Sequence, residues 1–94
     1  MISAASRPRL ASKARLRFDR KTERMMVLYP EKGIELSASA AEIMRLCDGE
    51  LTVATIVDRL RSKYPTSEPA DLEREVLEFL NAMADRCLIE DSAS

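Results

Sequence analysis

The run Leu46-Cys47-Asp48-Gly49-Glu50-Leu51-Thr52-Val53 constrains this chain more than any other stretch. Glycine is costly inside a helix and readily takes the left-handed position that ends one, so Asp48-Gly49 predicts a helix stop. Three residues on, the Thr52 hydroxyl stands where it can accept an amide of the next turn. Val53, Ile56, Val57 and Leu60 then recur with the 3.6-residue period of an amphipathic helix. Two helices must therefore meet across a short, fixed connection.

The helix before the stop is predicted to open at Ser39-Ala40-Ala41-Glu42, whose hydroxyl and carboxylate suit a capping box, with Ile43, Met44 and Cys47 as its apolar stripe. The helix after Thr52 extends to Tyr64, where Pro65 stops it. A third helix opens at Ser67-Glu68-Pro69, with Asp71 near its positive end and Leu72, Val76, Phe79, Leu80, Met83 and Cys87 on one face. Upstream, Arg15 and Arg17 alternate with Leu16 and Phe18 as a strand with Leu16 and Phe18 on the buried face, and Asp19-Arg20-Lys21-Thr22-Glu23 reads as a turn. Met25 to Tyr29 is apolar on both faces, as a central strand is, and Pro30-Glu31-Lys32-Gly33 reads as the turn into a short third strand, Ile34-Glu35-Leu36. The expected fold is α+β and winged-helix-like: a three-stranded antiparallel sheet followed by a three-helix bundle. Residues 1–12 mix small, polar and basic types and read as a flexible arm, residues 13–90 as one domain, and residues 91–94 as a frayed tail.

Ninety-four residues hold one modest core. The net charge of −1 hides a split: nine Lys/Arg against four Asp/Glu in residues 1–36, and six against twelve thereafter. A basic sheet joined to acidic helices gives this pattern, as do two separate binding surfaces. Cys47 and Cys87 lie forty positions apart with no histidine anywhere, so neither a zinc-ligand spacing nor a Cys–His nucleophile can be built, and both read as buried thiols. No secretory signal and no membrane-length apolar run is visible, which predicts a cytoplasmic protein without membrane association. Glycine occurs only at Gly33 and Gly49, which leaves no phosphate-cradling loop. The expectation is a non-enzyme with no catalytic residues, no metal and no cofactor.

Two binding classes remain. A winged-helix DNA regulator would place a helix in the major groove, but the third helix carries Glu68, Asp71, Glu73, Glu75, Glu78 and Asp85 against Arg74. A peptide binder needs only an open strand edge, and Ile34 to Leu36 offers one for β-augmentation, unless the N-terminal arm or a second copy covers it. If the Ile34 amide faces outward, Ile34→Pro would delete a donor to the guest. The loose arm and open edge leave a swapped homodimer open to the chain.

Arg15 to Asp19, Val27-Leu28-Tyr29-Pro30-Glu31, Ala41-Glu42-Ile43, Leu46-Cys47-Asp48-Gly49, Thr52-Val53 with Ile56, and Phe79-Leu80 together resemble the PqqD family, from about residue 8 to residue 90. That resemblance implies a non-catalytic peptide chaperone of pyrroloquinoline quinone biosynthesis, a recognition element for ribosomally made peptides. It would bind the precursor peptide PqqA and present it to the radical SAM enzyme PqqE, with no nucleic-acid partner. Carried onto this chain, the implied peptide site is Gly33, Ile34, Glu35 and Leu36 on the edge, facing Leu72, Glu75, Val76 and Phe79 on the third helix. Two residues depart from the family pattern: Met26 stands where tryptophan is common, and Cys87 stands where glycine often ends the last helix, which would let that helix run on or change how the C-terminus is closed.

Overall fold

The computed structural model describes residues 1–29, 32–65 and 68–92. In chain order it places β1 (Pro8–Leu10), β2 (Arg15–Asp19), β3 (Arg24–Tyr29), β4 (Lys32–Glu35), α1 (Ala38–Arg45), α2 (Val53–Lys63), α3 (Pro69–Asp85) and β5 (Ile89–Asp91). The class is α+β, with three helices and antiparallel sheets. β2, β3 and β4 form one sheet in that order, and β1 pairs with β5 in a second.

The register sets Arg17 opposite Met26 and Met26 opposite Glu35, with Leu16, Val27 and Ile34 in the adjacent row. Successive residues of a strand face opposite sides of the sheet. Val27 is fully buried against the helices and Ile34 packs beside it, while Arg15, Arg17, Gly33 and Glu35 lie on the outer face. Phe18, expected on the buried face, is 52% exposed: it sits one pair from the end of the β2–β3 ladder, in an open hollow beside Ala38, Ala41 and Arg45 of α1. Lys32 and Gly33 belong to β4 rather than to a turn; Pro30 and Glu31 lie outside the described residues.

Ser37, two residues before the expected cap, starts α1 by accepting the Ala40 amide at 3.2 Å. Leu36 before the cap and Ala41 in the next turn are both buried, the arrangement of a hydrophobic staple. Glu42 is not part of a capping box. Lys63 at the end of α2 holds it at 2.8 Å, and this hydrogen bond and the nearby cations keep the Glu42 carboxyl below the usual range. Thr52 caps α2 as expected, accepting the Thr55 amide at 3.2 Å.

The helix stop falls earlier than Asp48-Gly49 implies. α1 ends at Arg45, and Asp48 instead accepts the amides of Glu50 at 2.8 Å and Leu51 at 3.1 Å, which lower its carboxyl below the usual range. Gly49 has φ +85, and its amide donates to the Pro8 carbonyl at 2.9 Å. The expected helix-stop glycine thus serves a joint between the chain's two ends.

That joint overturns the reading of residues 1–12 as a loose arm and of Asp91 and Ser92 as frayed. Pro8, Arg9 and Leu10 pair with Asp91, Glu90 and Ile89, and the Ser92 amide donates to the Arg7 carbonyl at 2.9 Å. Further in, the Ala4 and Ser6 carbonyls accept the Ala54 and Val53 amides at 3.1 and 2.9 Å, satisfying donors that a helix start leaves free. Ile2 is buried, and Asn81 of α3 holds both its backbone groups, accepting its amide at 2.8 Å and donating to its carbonyl at 3.2 Å. Short hydrogen-bonded segments without a long apolar period leave little trace in a sequence. Ala93 and Ser94 lie outside the described residues.

Only one of the two cysteines is buried. Cys47 donates to the Ile43 carbonyl at 3.2 Å, and burial, with Asp48 adding to it, pushes its thiol up to about 12. Cys87 is exposed at φ +61, because α3 stops at Asp85 rather than running on. A left-handed non-glycine residue carries a strain of roughly 1 kcal/mol, so Cys87→Gly is expected to raise unfolding stability by about that amount in a urea titration. A loss of stability would show that the Cys87 side chain contributes more than its backbone costs.

Candidate functional site

The site is built on the parity of the β3–β4 ladder. The Leu36 amide donates to the Met25 carbonyl at 2.8 Å, and these residues continue the β3–β4 register by one step beyond Met26 and Glu35. Hydrogen-bonded pairs alternate in an antiparallel ladder, so Ile34 and Lys32 turn their backbone groups toward β3. The amides and carbonyls of Gly33 and Glu35 point the other way. No strand among the described residues pairs with that side of β4. The edge is therefore open, with two outward donors and two outward acceptors. This corrects the expectation for Ile34: its amide belongs to the internal ladder.

β2 has an open edge as well, but the groove that could receive guest side chains adjoins the other end of the sheet. It begins at Ser37, where the chain leaves β4, and holds about 270 Å³. Its walls are Ser39, Ala40 and Ile43 of α1, Leu60 and Tyr64 at the end of α2, and Leu72, Glu75, Val76 and Phe79 of α3. The Glu42–Lys63 pair ties α1 to the end of α2, which fixes two of the three walls. Glu75 is exposed, and none of the ion pairs among the described residues involves it.

The structure gathers the eight residues of the expected site into two adjoining groups. Leu72, Glu75, Val76 and Phe79 share the groove, since positions three and four apart lie on one helix face. Gly33 and Glu35 are exposed on the edge, Ile34 is half-buried beneath it, and Leu36 is buried one residue beyond it. Leu36, Val76 and Leu72 are core residues first: they are 4%, 0% and 9% exposed, so they shape the site from beneath rather than offer free surface. Sequence reasoning missed Tyr64, Leu60, Ile43, Ser37 and Ser39 as groove walls. Tyr64 falls in step with the α2 stripe in sequence, yet it is 37% exposed, at the helix end where Leu60 has already closed the core.

The family model for "Coenzyme PQQ synthesis protein D (PqqD)" matches residues 24–89. The chain is 37% identical over 91 residues to a PqqA binding protein of Rhodopseudomonas palustris, covering 97% of this chain and 88% of that one. Its fold is similar to the solution structure of the PqqD truncation of Methylobacterium extorquens PqqCD, described as a stand-alone recognition element for ribosomally synthesised, post-translationally modified peptides. There the TM-score is 0.81 at 32% identity, over 96% of this chain and 95% of that one. A crystal structure of PqqD from Xanthomonas campestris has a TM-score of 0.57 at 27% identity, over 94% and 97%.

The ladder parity separates two proline variants. Ile34→Pro removes an internal donor and strands the β3 acceptor, costing roughly 2–3 kcal/mol, whereas Glu35→Pro removes an outward donor that only solvent satisfies and costs at most about 1 kcal/mol. Thermal or urea unfolding reads the difference; equal losses would contradict the assigned parity.

Proposed function

Because the chain belongs to the PqqD family, we propose that it is a PqqA-binding recognition element of pyrroloquinoline quinone biosynthesis that captures an extended segment of the precursor peptide by strand addition to β4. The observation that carries this reading is the conjunction of an unpaired edge at Gly33 and Glu35 with an apolar groove at the end of the same strand. Backbone hydrogen bonds to the edge align an extended segment whatever its sequence, and Phe79 and Tyr64 of the groove wall supply the apolar contact that binding also requires. The protein contributes no chemistry of its own in this reading; it presents the bound peptide to the radical SAM enzyme PqqE, as the family resemblance implies.

The rival reading uses a winged-helix-like arrangement to bind duplex DNA. Charge disfavours it: α3 exposes Glu73, Glu75, Glu78 and Asp85, and Arg74 is itself paired with Asp71 at 3.2 Å.

An amide chemical-shift titration of the labelled protein with a synthetic PqqA peptide tests the proposal, with duplex DNA as the parallel arm. Shifts concentrated at Gly33 to Leu36 and along Leu72 to Phe79, with none from the duplex, are expected. Silence toward the peptide, or a response to the duplex alone, would contradict it.

A further inference from the structure

A guest strand laid along β4 inherits the parity of the ladder, because residues directly opposite each other in paired strands point to the same face. Guest residues opposite Ile34 and Leu36 turn toward the helices, where Ile34 is half-buried and Leu36 buried. The guest residue between them, opposite Glu35, turns to the outer face and stands beside that carboxylate. The row across this face runs Arg17, Met26, Glu35. Met26 separates Glu35 from the arginine, and none of the ion pairs among the described residues involves Glu35.

Gly33, the other outward-facing residue, adds no side chain of its own. A Cβ there would lie 3.0 Å from Leu28 Cδ2 and 3.1 Å from Met26 Cε, so those two apolar side chains already fill the space above it. The guest position across from Glu35 thus meets one exposed carboxylate and an apolar bed, with no cation competing from its own row but Arg17 two strands away. A lysine or arginine suits both: its stem lies along apolar surface while its head meets the carboxylate.

Resting on the strand-addition reading above, we infer that Glu35 is a specificity determinant that selects a basic side chain at the guest position directly across from it, within an apolar–basic–apolar stretch. Exposed cross-strand charge pairs are individually modest, and exchanging attraction for repulsion at one position changes affinity by roughly five-fold.

The test is a positional scan of a synthetic PqqA peptide, with Lys, Gln or Glu placed at each position of the bound segment in turn and each Kd measured at low salt on the wild-type protein and on E35K. One position is expected to favour Lys over Glu by roughly five-fold on the wild type and to invert on E35K, while its neighbours do not. A preference that persists in E35K, or a change equal at all positions, overturns the inference. Glu35→Pro, checked for folding by its thermal transition, separates the two layers of the argument. If it loses binding while the scan shows no inversion, strand addition stands and the selector falls. If it binds like the wild type, both fall.

Discussion

One hydrogen bond, from the Leu36 amide to the Met25 carbonyl, fixes the parity on which the rest of this structure depends. With Val27 held in the core, a shift of one residue in the β3–β4 register would send Ile34 and Leu36 to solvent and turn Gly33 and Glu35 toward the helices. In the observed register the buried side chains Val27 and Leu36 share one face with half-buried Ile34, and the backbone groups left over at the edge belong to Gly33 and Glu35. Core packing and the free edge are therefore consequences of a single choice. The staple of Leu36 and Ala41 around the Ser37 cap holds that choice in place, because the residue that ends the ladder also anchors the start of α1.

The second constraint is the closure of the two chain ends on each other. β1 and β5 pair, Gly49 and Ser92 meet them, and the first six residues supply acceptors to the start of α2. Ile2, held by Asn81, packs on the flank of α3 that includes Leu77, away from the groove face of Leu72, Val76 and Phe79. The N-terminal segment therefore reinforces the domain without covering the groove. The clasp includes the ion pair of Arg9 with Glu90 at 3.1 Å, but both partners are half-exposed, and an exposed pair contributes at most about 1 kcal/mol. Backbone pairing and the burial of Ile2, Pro8 and Ile89 carry the closure.

Long periodic elements were legible from residues alone. The α2 stripe from Val53 to Leu60 and the α3 stripe from Leu72 to Met83 are where their 3.6-residue spacing put them, and β2, β3 and β4 fall within a residue or two of their expected ends. What escaped was set by partners distant in sequence. Glu42 looks like a capping residue until Lys63, twenty-one positions on, claims it. Asp48-Gly49 looks like a helix stop until Pro8 and Ser92 arrive from the two termini. Of the candidate site, the shared face of Leu72, Glu75, Val76 and Phe79 follows from helical spacing. Which amide of Ile34 and Glu35 is free does not, because it depends on the ladder register rather than on residue type.

Two outward donors and two outward acceptors make at most four hydrogen bonds with a guest, each worth about 1 kcal/mol net, against an association cost of several kcal/mol or more. The edge alone cannot hold a peptide. The groove must add apolar burial, which ties the two halves of the site together. Hydrogen exchange of individual amides, with and without PqqA peptide, tests this account most directly. The Gly33 and Glu35 amides are predicted to exchange freely in the unbound protein and to become protected on binding, while Ile34 is protected in both states. Gly33 and Glu35 amides that stay equally exchangeable with saturating peptide would contradict strand addition at β4.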